Sequence, residues 1–291
     1  SGYPVEIGEK IQRGISLYDF NQNGLDDMVF GTDSKNIYLM YDDGTIADGF
    51  PFEGNDKFRV APIIINHNYN TIIVAASKDG TIYGIDSQGG LIFSTSINME
   101  ITTSPVFTTN NLQAQIIFGT ENGDIYAIDL NGDIIDDFPF SVGENIISGS
   151  IMYADINSDT NNEIIIVDDF GNMTILNNDL THYQNSPIKN DFSFSSTPLI
   201  NDFDNDDDLE IVAGTANSLF IVDIKQSSVS NLSTLFRSNY KRTGYYEYIH
   251  CSEGDFNSDG IVNIIDVVDL VNIIISDNNV QDLDLCIGDI N

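Results

Sequence analysis

Along the first 249 residues, apolar and polar positions alternate in short bursts, and no stretch there repeats at a helical period. Runs such as TIYGID (81–86) and DIYAID (124–129) alternate residue by residue, the pattern of a half-buried strand. Other runs are solidly apolar and β-branched: DMVFGT, TIIVAAS, QIIFGT, EIIIVDD and EIVAGT. These also predict strands. Each is preceded by a further run that ends in a polar loop: Ile15–Asp19, Ala61–Ile65, Pro105–Thr108, Ser150–Ala154 and Pro198–Asn201. Turn signals follow the alternating runs at Asp43-Gly44, Gly89-Gly90 and Asn131-Gly132, and predict tight hairpins into a last strand such as GFPFEG or DFPFSV.

These elements recur as a unit. IFGTENGDIYAIDLNGDIIDDFPF (117–140) matches VFGTDSKNIYLMYDDGTIADGFPF (29–52) almost position for position, and VAASKDGTIYGIDSQGGLIFSTSI (74–97) follows the same scheme. Two looser copies start at Ile166 and Val212. Anchored on Gly31, Ala76, Gly119, Val167 and Gly214, the units are spaced by 45, 43, 48 and 47 residues. Four short antiparallel strands in a repeat of about 45 residues predict an all-β fold, a β-propeller with five visible four-stranded blades. The opening SGYPVEIG matches DGFPFEG. The chain therefore starts on the last strand of a blade. Tyr3–Gly8 either completes the fifth blade and closes the propeller, or belongs to a blade of a larger ring outside this sequence. Ser1-Gly2-Tyr3-Pro4 carries neither Met nor a basic leader, so the chain reads as a mature product or a fragment. The propeller is assigned to 1–248 and a small α module to 249–291.

Three of the five units share an acid-rich loop between their first and second strands. It holds Asp19, Asn21, Asn23, Leu25 and Asp27 in the first unit, Asp155, Asn157, Asp159, Asn161 and Glu163 in the fourth, and Asp202, Asp204, Asp206, Asp208 and Glu210 in the fifth. Each reads D-x-[ND]-x-[ND]-x-x-x-[DE] and begins 12 residues before its anchor. Ca²⁺ takes six to eight oxygens at about 2.3–2.6 Å. In a curled loop the side chains at positions 1, 3 and 5 converge. A carbonyl at position 7 and an acid at position 9 complete the shell. The alternative is a polar surface loop rich in turn formers. The second and third units lack the acids (66–70 and 109–115) and are expected to be metal-free.

The pattern, followed by an apolar strand and Gly-Thr, resembles the FG-GAP (integrin-α-like) propeller repeat over roughly residues 1 to 245. That resemblance implies that these acids and amides are calcium ligands. The second and third units, with DGTIYGID and NGDIYAID, look more like repeats of pyrroloquinoline-quinone-type (PQQ-like) propellers.

The C-terminal stretch carries a different signal. DFNSDGIVNIID (255–266) fits a twelve-residue calcium loop. Asp255, Asn257 and Asp259 take positions 1, 3 and 5, Gly260 the turn, and Ile261 the carbonyl position; Asn263 and Asp266 stand at 9 and 12. A helix is predicted from 264 to about 275, with Ile265, Val268, Val271 and Ile275 on one stripe. Asp replaces the usual Glu at position 12, and no helix precedes the loop. Those departures resemble the dockerin type I repeat, with the closing GDIN (288–291) as the start of a truncated second copy. The resemblance implies that Ile264, Ile265, Val271 and Asn272 contact a cohesin-like domain. Packing of Ile264 and Ile265 on a second helix is the other reading. Cys251 and Cys286 each stand just before a Gly-Asp element, a matched placement that suggests a disulfide and an oxidising compartment, against two unpaired thiols.

Composition narrows the partners. Forty-five acids against 11 bases give a net charge of −34, which disfavours nucleic acid and anionic membranes. The acidity reads either as a salt-adapted solvated surface or as divalent-cation binding. No apolar run reaches the roughly 18 residues of a membrane span; 261–275 is interrupted by Asn263, Asp266, Asp269 and Asn272. His67, His182 and His250 have no metal-ligand spacing, and the absence of Trp argues against a quinone-dependent dehydrogenase. No catalytic motif is visible. The chain therefore reads as a secreted, monomeric calcium-binding module, extracellular or at a bacterial cell surface, for adhesion to carbohydrate (a cell-surface polysaccharide) or protein, with about four calcium sites. The alternative is a polysaccharide lyase or hydrolase delivered by its dockerin.

Overall fold

A computed structural model describes residues 4–67, 70–110, 113–159, 161–225, 237–239, 241–248 and positions 264, 267 and 268. The repeats fold as antiparallel sheets. The first contains β1 (Ser16–Tyr18), β2 (Asp27–Gly31), β3 (Asn36–Met40) and β4 (Phe52–Glu53) in that order. The second contains β5 (Ile63–His67), β6 (Asn70–Ala76), β7 (Thr81–Asp86) and β8 (Leu91–Ser96), and the third β9 (Val106–Asn110), β10 (Gln113–Gly119), β11 (Asp124–Ile128) and β12 (Phe140–Ser141). The fourth contains β13 (Met152–Ala154), β14 (Glu163–Val167), β15 (Asn172–Leu176) and β16 (Ile188–Lys189), and the fifth β17 (Leu199–Asn201), β18 (Leu209–Gly214) and β19 (Leu219–Ile224). A last strand, β20 (Tyr245–Tyr248), lies beside β5. By compactness the chain divides into two units, Ser1–Ile65 with Ile72–Tyr246, and Asn66–Thr71 with Glu247–Asn291.

The solidly apolar second strands are explained by burial on both faces. In β14 every residue is buried. Ile164 and Ile166 join Ile117, Ile125 and Ala127 of the third sheet, while Ile165 and Val167 join Ile200, Leu209 and Ile211 of the fifth. Successive side chains point to opposite faces, so one strand feeds two cores. The first and second sheets share a similar core of Val29, Ile37, Leu39, Ile64, Ile73 and Phe58. Each such side chain contributes about 1.5–3 kcal/mol on burial.

The first strand of every sheet is its inner strand. Residues just before these strands (Gly14, Ala61, Ser104, Gly149 and Thr197) line one cavity of about 360 Å³. Hydrogen bonds run from sheet to sheet around it: Ser16 Oγ to the Pro62 carbonyl (2.6 Å), Ala61 N–H to Ser104 Oγ (3.0 Å), Thr102 Oγ1 to the Ile147 carbonyl (2.7 Å) and Ser150 N–H to Thr197 Oγ1 (3.0 Å).

The segment after the fifth sheet returns along these inner strands. Leu17 N–H donates to the Thr243 carbonyl (2.9 Å) and Ile64 N–H to that of Gly244 (2.8 Å). Tyr245 stacks on Tyr18 with ring centroids 4.5 Å apart, and Tyr246 tilts against Phe107.

The opening strand corrects the expectation of a complete fifth blade. The fifth sheet has three strands among the described residues, and residues 4–8 form no ladder with β19. Instead, Val5 and Ile7 pack on Phe30, Tyr38 and Met40 of the first sheet. The Glu9 carboxylate then ties the segment down, accepting from Thr32 Oγ1 (2.6 Å), Asn36 Nδ2 (2.8 Å) and Tyr38 OH (2.9 Å). The apolar pair buries where an apolar face is available. Leu219 and Ile221 of β19 stay 70% and 59% exposed.

Candidate metal centre in the acid loops

The three acid loops lie at the opposite end of the inner strands from the cavity. Their backbones share one construction. Position 4 is left-handed in each: Gln22 (φ 57°), Ser158 (φ 62°) and Asn205 (φ 62°). So is position 6 where described, at Gly24 (φ 88°) and Asp207 (φ 71°). Side-chain-bearing residues rarely adopt this region, and Gly enters it freely. These reversals curl the loop around its first carboxylate. Asp19 accepts the N–H groups of Asn23 (3.0 Å) and Gly24 (2.7 Å), Asp155 that of Asp159 (3.1 Å), and Asp202 those of Asn205 (2.6 Å) and Asp207 (3.2 Å). Position 5 accepts from the N–H of position 7: Leu25 to Asn23 (2.8 Å), Asn161 to Asp159 (2.8 Å) and Asp208 to Asp206 (3.0 Å).

The ninth-position acid closes each loop through the same bond. Asp27 accepts the Phe20 N–H (2.9 Å), Glu163 that of Ile156 (3.0 Å) and Glu210 that of Phe203 (2.7 Å). All three are buried. Their second oxygens differ. Asp27 Oδ1 accepts the Asp42 N–H (2.9 Å). Glu163 Oε1 accepts from Asn157 Nδ2 (3.2 Å), which also reaches Asp159 Oδ2 (3.1 Å), so an amide sits between the carboxylates. Glu210 Oε1 is buried and has no hydrogen-bond partner. In that fifth-blade loop, oxygens of Asp202, Asp204 and Glu210 lie within 4.8 Å of one another. The donor set is all oxygen, the chemistry of hard divalent cations, and a buried Glu210 carboxylate with one orphaned oxygen, grouped with those of Asp202 and Asp204, fits such an ion.

Electrostatics follow burial. Burial, and then the charges of Asp159 and Asp155, push the Glu163 carboxyl up to about 7. Burial also raises Asp27, opposed by the N–H groups of Asp42 and Phe20.

Two contributors stand outside the loop motif. In the first blade Asp42 receives Asn23 Nδ2 (2.7 Å) as well as holding Asp27. In the fifth, Lys225 Nζ lies 3.2 Å from Asp206, 3.4 Å from Asp208 and 2.6 Å from Asp223. Both follow their blade anchor, Gly31 or Gly214, by 11 residues, so the repeat register held the signal. In the tail, Ile264 is helical and exposed. Asp255, Asn257, Asp259, Ile261, Asn263, Asp266, Ile265, Val271, Asn272, Cys251 and Cys286 lie outside the described residues.

Five antiparallel sheets whose inner strands meet at one cavity make this a β-propeller. Solved structures of similar fold include BamB from Moraxella catarrhalis (14% identity, TM-score 0.55, covering 81% of this chain and 65% of that one). Others are Sqt1 from Saccharomyces cerevisiae (12%, 0.55, 78% and 64%) and BBS1N in complex with ARL6DN (12%, 0.54, 78% and 69%). The chain thus spans about two thirds of the length of these proteins, and at such identities the likeness is one of fold. No protein-family model and no curated protein matches the sequence.

Proposed function

We propose that this chain is a calcium-loaded binding propeller of FG-GAP type, working outside the cell or at a bacterial cell surface, with a dockerin-like tail that docks to a cohesin-like protein domain. The carrying observation is the shared construction of the three acid loops, above all the buried, unpartnered Glu210 Oε1 beside Asp202 and Asp204. Calcium in the first blade is held by Asp19, Asn21, Asn23, the Leu25 carbonyl and Asp27. The equivalent residues hold it in the fourth and fifth, and Asp255, Asn257, Asp259, Ile261, Asn263 and Asp266 hold a fourth ion in the tail. Ligands drawn from one short loop suit a structural ion, which shapes the binding surface rather than performing chemistry.

Calorimetric titration of the metal-free chain should find about four calcium ions. A melting temperature unmoved by chelator refutes the calcium reading. Binding of a cohesin-type domain should need calcium and weaken in Asp255→Ala and Ile265→Asp. Absence of any such binding, together with cleavage of an acidic polysaccharide, favours the enzyme reading instead.

A further inference from the structure

Three of the chain's four arginines, Arg13, Arg237 and Arg242, line the cavity where the inner strands begin. Among the described residues no acid does. On a molecule of net charge −34 this segregation is the reverse of what the composition favours. Arg237 is the centre of it. The residue is only 7% exposed and makes no ion pair among the described residues. Its Nη2 donates to the Ile15 carbonyl and Ser16 Oγ (both 2.7 Å), and its Nε to the Arg242 carbonyl (3.1 Å). Those bonds fix the guanidinium plane and leave Nη1 buried with no partner. Burial depresses the guanidinium pKa, yet an arginine stays charged in proteins. A buried cation with no counter-charge is costly.

The rest of the wall is rich in donors. Ser104 Oγ accepts the Ala61 N–H, Ser196 Oγ that of Gly214 (2.8 Å), and Thr197 Oγ1 that of Ser150. Each hydroxyl keeps its own proton to give, and none donates it among the described residues. Hydroxyl protons and a leftover guanidinium nitrogen are the complement of an oxyanion.

We propose that this axial cavity is an anion-binding site that takes the carboxylate, or a tetrahedral oxyanion, of an acidic ligand on Arg237 Nη1 and the surrounding hydroxyls. The site does not rest on the calcium loops, which lie at the other end of the inner strands. The fixed guanidinium plane gives direction, and a cavity of about 360 Å³ admits a small acid such as a sugar acid.

The test uses Gly14. A Cβ there would stand 3.9 Å from Arg237 Nη1 and 3.5 Å from Ala61 Cβ, ordinary contacts at an exposed position. Gly14→Asp therefore supplies an internal carboxylate without breaking any bond that Arg237 makes, whereas Arg237→Met would remove three and risk the fold. The full chain is titrated by calorimetry with sodium D-glucuronate, with sodium sulfate and with D-glucose at matched ionic strength. The wild type and Gly14→Asn should bind at least one of the two anions saturably and ignore glucose. Gly14→Asp should bind it at least about tenfold more weakly and melt higher than Gly14→Asn in anion-poor buffer. Tighter binding of glucuronate than of sulfate assigns the site to carboxylates, and the opposite order to tetrahedral oxyanions. No saturable binding of either anion by the wild type, or equal binding by Gly14→Asp, overturns the proposal.

Discussion

Glu210→Gln separates a metal loop from a merely polar one. Its Oε2 accepts the Phe203 N–H at 2.7 Å, Oε1 is buried without a partner, and the carboxylate groups with those of Asp202 and Asp204. Glutamine keeps the acceptor for Phe203 and places an NH₂ where Oε1 stood. An unsatisfied buried acceptor costs about 1–3 kcal/mol. The amide instead offers a donor to the Asp202 and Asp204 carboxylates, which have oxygens within 4.8 Å of a Glu210 carboxylate oxygen. In excess chelator the variant should therefore be more stable than the wild type by about 2 kcal/mol, roughly 4–8 °C in melting temperature for a domain of this size.

Calcium reverses the order. At a thousand times its Kd, an ion bound only to the folded state contributes about 4 kcal/mol per site. The variant lacks one ligand charge and turns a donor towards the ion, so it forfeits that gain at one loop. The wild type should then lead by about 2 kcal/mol. Scanning calorimetry or urea denaturation of both proteins, with chelator and with calcium, reads the crossing. A variant less stable than the wild type under both conditions refutes the reasoning, because Glu210 would then be a plain structural carboxylate.

Four further outcomes follow from named contacts. Gly244→Ala should destabilise by at least about 2 kcal/mol, measured by urea denaturation: its φ is 69°, and a Cβ would collide with the Arg237 guanidinium and meet Ser16 Oγ at 2.8 Å. Ile165→Ala, which hollows the core between the fourth and fifth sheets, should cost about 2–5 kcal/mol in the same assay. In chelator, stability should fall as pH rises from about 4.5 to about 7, since the folded Glu163 carboxyl holds its proton up to about 7 while the unfolded one releases it near 4.5; Glu163→Gln should flatten that slope in a pH series of melting temperatures. Lys225→Ala removes a cation lying 3.2 Å from Asp206 and 3.4 Å from Asp208, and should tighten calcium at the fifth-blade loop roughly two- to fivefold by titration.

The blades were legible because a strand records its surroundings in its own residues. EIIIV in β14 is apolar throughout because alternate side chains enter two different cores, and the same run recurs at a fixed register in every repeat. The loop acids were legible for a related reason: positions 1, 3, 5 and 9 are close in sequence, and their geometry is set by local backbone reversals. What differs between the loops was not. Whether the second oxygen of the ninth-position acid meets a backbone N–H from Asp42, the Asn157 amide or nothing depends on neighbours that the motif does not mention. The fate of Val5 and Ile7 was hidden likewise, since an apolar strand motif states what must be buried without saying against which sheet.

The axial cavity marks the limit of reading along the chain. Its parts come from all five sheets, one short segment at a time, and no segment has a motif of its own: Gly14, Ala61, Ser104, Gly149 and Thr197 have in common only their place before an inner strand. Arg237 comes from beyond the repeats yet bonds to Ile15 and Ser16, more than 220 residues earlier. Sequence spacing therefore says nothing of its partners. A net charge of −34 argues against anionic partners for the molecule as a whole. That inference is sound for a surface averaged over a Debye length of about 8 Å at physiological salt. It does not hold for a cavity that gathers three arginines and, among the described residues, no acid, because there the nearest charges decide and the mean field does not.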